Sequence, residues 1–298
     1  MAISELPTSV ETAAPRRRTA WQQFKRVARR QPLGVAGGAI VILMILMAIF
    51  ADVIAPYDPT AMNYSAFTAP PGTEFWLGTD QMGRDVFSRI VHGARTAVFV
   101  GFVASIVGAG IGLVLGVGSA YFGGKIDLVF QRVMDIFMSF PLIIMALAMV
   151  AIFGTGVDKV IVAITIPFIP RCARVVRSTA LSVREMPYVD AARSIGYSHT
   201  RIILRHMVPN VMAPFLIMIT AFVGQAILLE ASLSYLGLGV QEPTPAWGLM
   251  LQGGAELYAE SAPWVAIFPG LAITLAVFGF NLFGDAVRDM LDPKLRSQ

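Results

Sequence analysis

The chain reads as an all-α integral membrane protein with six transmembrane helices and both termini in the cytoplasm, and three observations lead there. Of its 298 residues, 56% are hydrophobic and only 14% charged, with a mean hydropathy of +0.67, whereas ordinary soluble domains carry about 25% charged residues. The charges are excluded from long windows, and a helix needs about 20 apolar residues to cross the hydrocarbon core. The Lys and Arg residues gather in a few segments between those windows, which orients them across the membrane.

Five windows stand out at once, 33–51, 96–124, 136–157, 207–229 and 261–284. With flanking residues allowed, they predict spans over 33–51, 96–122, 132–154, 207–230 and 262–284. Of the 23 Lys and Arg residues, seven precede Leu33, two lie between Gly124 and Ile136, seven run from Arg171 to Arg205, and three follow Gly284. The positive-inside bias therefore puts the N-terminus and the Arg171 to Arg205 segment on the same, cytoplasmic side. An even number of crossings must separate them, and only three of the five windows do so. Parity demands a further helix over 158–176, which hydropathy barely shows because Val160 to Pro170 offers only 11 uncharged residues. It reaches span length if Arg171 and Arg174 snorkel to the headgroups and Asp158 and Lys159 sit at the outer rim.

This arrangement predicts a cytoplasmic tail over residues 1–32, a long outer loop over 52–95, a cytoplasmic loop over 177–206 and a second outer loop near 231–262. That last loop holds Glu242, Glu256 and Glu260 but no Lys or Arg, as an external loop should. The basic tail followed by a 19-residue apolar run predicts an uncleaved signal-anchor helix. Gly108, Gly112 and Gly116 recur every four residues, so they share one helix face and admit a close neighbour.

Other functional classes find little support. A net charge of +4 and a pI of 9.4 would suggest nucleic acid in a soluble chain, but here the basic residues report topology, and no nucleic-acid partner is expected. The single Cys172 offers no thiol pair, and His92, His199 and His206 lack metal-ligand spacing, so no metal site and no catalytic residue is read. The only Gly-Lys pair, Gly124-Lys125, continues into Ile126 and forms no phosphate-binding loop. An ion-coupled secondary transporter should carry ionisable relays inside its spans, and the uncharged windows contain none. A channel should show a filter sequence or charged pore ring, and neither is apparent.

The cytoplasmic loop carries the functional signal. Pro187 suits the first turn of a helix, and Asp190 lies near enough to that N-terminus to be favoured by the helix dipole. Ala191 and Ala192 leave a narrow, smooth surface able to enter a cleft, Arg193 follows, and Gly196 permits the turn that ends the helix. Ser198 is a fitting N-cap for a second amphipathic segment. There Arg201 and Arg205 share a face suited to phosphate headgroups, with Ile202, Ile203 and Leu204 on apolar surface.

An acidic residue, two alanines, a glycine and a later proline, here Asp190, Ala191, Ala192, Gly196 and Pro209, resemble the signature loop of binding-protein-dependent ABC importer permeases, with Asp in place of the usual Glu. Three further stretches, GTDQMGRDVFSR over 78–89, LEASLSYLGLGVQEPTPAWG over 229–248 and LFGDAVRDMLDPKLR over 282–296, resemble the dipeptide and oligopeptide class, specifically its C-type member. In the outer-loop motif Gly78 and Gly83 punctuate a structured loop, and Arg84 with Asp80 or Asp85 forms local ion pairs that either hold the loop or touch a ligand. Glu230, at the outer end of the fifth helix, either lines the translocation path or caps a packing contact.

The resemblance implies a type I importer permease of MetI-like fold in a bacterial or archaeal cytoplasmic membrane. It implies a non-catalytic subunit that forms half of a pathway for di- or oligopeptides. Nickel chelates, glutathione and oligosaccharides are the alternative cargoes. The implied partners are a second, homologous permease, two ATP-binding cassette subunits and an extracytoplasmic substrate-binding protein. ATP and Mg would be bound by the ATPase subunits, with no cofactor in this chain, and the Asp190 to Pro209 loop would couple to them.

Overall fold

Eleven α-helices follow one another in the computed structural model, which describes residues 31–291. The basic tail and the end of the 282–296 stretch lie outside those residues. α1 (Pro32–Ile49) and α2 (Ala51–Ile54) lead into a long loop, the predicted outer loop, then α3 (Val86–Phe122), α4 (Gly124–Met138), α5 (Leu142–Phe153) and α6 (Val157–Arg184). Next come α7 (Pro187–Ser194), α8 (His199–Ile202), a π turn (Ile203–Met207), α9 (Val208–Tyr235), α10 (Trp247–Leu257) and α11 (Trp264–Leu291). By length and apolarity α1, α3, the His199–Tyr235 run and α11 suffice to cross a membrane, and α4 with α5 would make a fifth crossing as a bent pair.

The core runs between α3, α6 and α9. Gly108, Gly112 and Gly116 face α6 so closely that a Cβ would meet Phe168 Cβ at 2.9 Å, Cys172 Cβ at 2.7 Å and the Ala173 carbonyl oxygen at 2.5 Å. Buried Phe168 in turn stacks on Phe222 of α9, with ring centroids 4.2 Å apart. Gly116→Val should therefore prise α3 from α6. A backbone carbonyl cannot yield as a flexible side chain can, so the cost should reach or exceed the about 1–3 kcal/mol typical of overpacking. A fall in the thermal midpoint of the detergent-purified protein would register it, and an unchanged midpoint would contradict this packing.

Four sequence expectations need correction. α3 starts at Val86, not near 96, because Asp85 caps it, accepting from Ser88 N at 2.7 Å. At 37 residues and 1.5 Å per residue it is about 55 Å long, well beyond a hydrocarbon core of about 30 Å. The predicted 132–154 span is not one helix: it breaks between Met138 and Leu142 with a bend of 92°. Pro141 lacks an N–H to continue α4, and its ring drives Phe140 out of helical geometry. α6 continues past 176 to Arg184, through Pro167 and Pro170, so it absorbs the start of the 177–206 loop. The second outer loop contains a helix of its own, α10.

α6 is long enough to span but not apolar enough, because it carries Arg171, Arg174, Arg177 and Arg184. α4 answers two of these. Arg177 Nε donates to Asp127 Oδ1 at 2.6 Å, and Arg174 pairs with Asp135.

Candidate functional site

α7 is a short helix held at both ends by its sequence. Pro187 occupies its first turn after extended Met186, and Asp190 in that turn accepts from Arg193 Nη1 at 3.0 Å. Val189 and Ala192, three residues apart, point inward and are buried in the main core. Tyr188, Ala191 and Ile195 fall at helical spacing on the adjoining, exposed side, with Ile195 70% exposed and the Tyr188 ring beside that of His206. At its end Gly196 takes a φ of +81°. This lets Gly196 N donate to the Arg193 carbonyl at 2.9 Å and Tyr197 N to the Ala192 carbonyl at 3.1 Å, a Schellman-type closure.

The segment beyond is anchored by rings. Ser198 caps α8 as expected, accepting from Arg201 N. His199 Nδ1 lies 2.7 Å from the Tyr121 hydroxyl at the end of α3, and Arg193 stands over the same ring. Arg201 lies 3.9 Å above the Tyr197 ring, so within this chain its charge faces an aromatic surface. The expected apolar face over Ile202, Ile203 and Leu204 is also split. Ile202 is buried while Leu204 is exposed, because residues two apart point to nearly opposite sides of a helix. Pro209 is exposed in the first turn of α9.

The outer-loop motif forms a separate site. Gly78 and Gly83 both adopt left-handed φ, and Thr79 and Asp85 pair across the loop. Arg84, 1% exposed, donates from Nε to Asp80 Oδ2 at 2.7 Å. Its Nη1 and Nη2 grip both oxygens of Glu242 at 2.7 and 3.1 Å. Buried Arg89 joins them, donating to Glu242 Oε1 at 3.3 Å and to the Pro59 carbonyl at 3.1 Å. Asp85 pairs with neither arginine and serves as the helix cap. Two buried arginines and two carboxylates thus fasten the first outer loop, α3 and the second outer loop together. Burial alone would raise the Glu242 carboxyl, but the hydrogen bond from Arg84 and the charges of both arginines hold it below the usual carboxylate range. Trp247 completes the seam, its Nε1 donating to the Ile90 carbonyl at 2.9 Å.

Glu230 belongs to neither group. It is enclosed within the chain, 1% exposed, and accepts from Ser234 Oγ at 2.7 Å, while Ser234 Oγ accepts from Val240 N at 3.1 Å. Within this chain these bonds tie Glu230 to the turn after α9. Sequence reasoning missed Arg89, Glu242 and Trp247 as partners. Among the described residues, no group of three or more His, Cys, Asp or Glu is placed to hold a metal.

Residues 108–297 match the family model described as "Binding-protein-dependent transport system inner membrane component". Residues 19–71 match one described as "N-terminal TM domain of oligopeptide transport permease C". Similar curated proteins include the glutathione transport system permease protein GsiD of Escherichia coli O6:K15:H31, 43% identical over 280 residues covering 94% of this chain and 92% of that protein. The GsiD of Pectobacterium atrosepticum is 42% identical over 281 residues, covering 94% and 93%. Among solved structures, the inward-facing MetNI methionine ABC transporter aligns with a TM-score of 0.55 at 20% identity, covering 68% of this chain and 96% of that one. At that identity the likeness speaks to the fold alone.

Proposed function

This chain belongs to the family of binding-protein-dependent transport system inner membrane components, a permease of an ABC importer in the cytoplasmic membrane, and on that premise we propose how it works and what it carries. It crosses the bilayer six times with both ends inside, α6 being the crossing that charge parity demands. It pairs with a second permease, receives cargo from an external binding protein and docks through α7 on two ATP-binding cassette subunits. Those subunits bind ATP and Mg and perform the hydrolysis, so this chain is not an enzyme. Its cargo is a di- or oligopeptide. The oligopeptide permease match and the GsiD relatives both support a peptide-class ligand, since glutathione is itself a tripeptide.

One observation carries the coupling role: α7 turns Val189 and Ala192 into the core and leaves Ala191, Ile195 and part of Tyr188 exposed on the adjoining side. A helix with one buried face transmits displacement to its own fold, and a bare apolar face beside small Ala191 suits a cleft on a partner. ATP-driven closure of the ATPases then moves α7. Its neighbours α6 and α9, joined to it through the chain, are drawn along and switch the cavity between outward and inward access.

Ala191→Trp in the assembled importer is expected to leave the permease inserted, because the position is exposed. Co-purification of the ATPases or uptake driven by them should fall at least about tenfold, which corresponds to losing about 1.4 kcal/mol of docking energy. Full assembly together with full uptake in that variant would refute α7 as the coupling element.

A further inference from the structure

The arginines of α6 are unequally served. Arg177 and Arg174 are neutralised by Asp127 and Asp135 of α4. α4 ends at Met138, and Arg171 has no ionic, hydrogen-bonding or aromatic partner among the described residues. It lines a crevice of about 40 Å³ with Phe137, Met138, Phe140, Leu142 and Pro167, beside the break between α4 and α5. Ser139, Phe140 and Pro141 are exposed at that break.

Depth makes this arrangement informative. The Asp158–Lys159 ion pair stands at the outer end of α6, and Arg171 follows Lys159 by 12 residues, about 18 Å along a helix. That is more than half of a hydrocarbon core of about 30 Å. A lone guanidinium at that depth faces water or protein, or snorkels to the inner headgroups, and does not rest among lipid tails. The same holds for the broken backbone beside it, since irregular structure at membrane depth is tolerated only against protein or a wet cavity. Two independent features therefore turn the same face toward the passage.

We propose that Arg171 is a contact for the anionic end of the cargo, the C-terminal carboxylate of a peptide, as it crosses the cavity between the two permeases. This rests on the peptide-import reading above. With Asp127 and Asp135 already spent on Arg177 and Arg174, Arg171 is left without a counter-charge among the described residues, for a ligand to match. The guanidinium fork fits a carboxylate in two parallel hydrogen bonds, and Phe137, Phe140 and Pro167 supply apolar walls. The crevice is too small for a whole peptide, so the contact it offers is to an end group.

Uptake into proteoliposomes holding the complete importer and its binding protein would test this, with glutathione and trialanine each compared with the form esterified at its C-terminal carboxyl. Arg171→Gln is expected to lower uptake of the free acids about tenfold or more, the loss of a charge-assisted contact, and to leave the esters within about twofold of the unaltered chain. Arg171→Lys should recover most of the loss. An equal fall for acids and esters, as a structural or lipid-headgroup role would give, overturns the proposal, and so does unchanged uptake. An unaltered importer that moves none of these ligands refutes the peptide reading itself, and this proposal with it. Water access has its own readout. With Cys172→Ala in place, Arg171→Cys should react with a charged, membrane-impermeant thiol reagent and be protected by ligand, and absence of reaction overturns the placement.

Discussion

Arg84→Met is expected to produce the largest loss of stability of any single substitution in the outer face. The side chain is nearly isosteric along its stem, but its removal leaves Asp80, 4% exposed, with Arg89 Nε at 3.6 Å as its nearest cation and with only the backbone N–H groups of Met82 and Arg84 still donating to its Oδ1. Glu242 loses both of its shorter bonds and keeps only the 3.3 Å contact with Arg89. Removing one partner of a buried charge group typically costs about 3–5 kcal/mol, because the other charges stay buried without compensation. Glu242→Gln should cost much less, since its side chain is 39% exposed and can be solvated. The thermal midpoints of the two purified variants would rank them, and a Gln variant as damaged as the Met variant would show that the clamp is not organised around Arg84.

Acid gives the same clamp a signature. The folded-state pKa of Glu242 is depressed, so its stabilising contribution is complete above the ordinary carboxylate value of about 4.3. It is lost as pH falls through the lower folded value. Stability of the unaltered chain should therefore keep this contribution across neutral and mildly acidic pH and shed it only below that range. In Arg84→Met the part of the acid limb due to Glu242 should flatten.

What could be read in advance, and what could not, follows from how far apart the interacting parts lie. That one face of α3 admits a close neighbour was visible because such an approach leaves glycines at a fixed four-residue spacing, but the identity of that neighbour, α6, was not. α6 was visible through charge parity although its arginines lower its hydropathy. The break at Pro141 was hidden in a window scanned for apolarity, which carries no information about backbone continuity. The early start of α3 was disguised by Arg89 and Arg95, which look like loop residues until Arg89 is seen enclosed by its partners, and Asp85 looked like an ion-pair partner and not a cap. Glu242 lies 158 positions from Arg84, and no local pattern announces a pairing over that distance. α10, with Gly253 and Gly254 inside it, is a poor helix by propensity, and its burial of Trp247 against Ile90 supplies what propensity lacks. In α7 the reverse holds: Pro187, Asp190 and Gly196 are local signals for local geometry, so that element was the most legible.

Gly196→Val should separate folding from transport most sharply. Nothing lies within 4 Å of a Cβ built at this position, so the substitution causes no collision with neighbouring elements. Its cost comes from the backbone, since a β-branched residue at φ +81° meets its own carbonyl at about 1–2 kcal/mol. That is too little to unfold a chain whose main core also runs through α3, α6 and α9, and insertion and partner permease assembly should survive. The relief available is local: Gly196 leaves the left-handed region, and the bonds from Gly196 N and Tyr197 N to the end of α7 open. Ile195 then leaves the exposed face it shares with Tyr188 and Ala191, and Tyr197 swings away with Arg201 above it. Uptake should fall tenfold or more, with ATP hydrolysis no longer stimulated by the loaded binding protein. Gly196→Asn supplies the control, because Asn tolerates the left-handed conformation, and it should retain most of the uptake. Equal damage from Val and Asn would mean that the position needs the absence of a side chain, as a partner surface pressed against it would require, and not the turn.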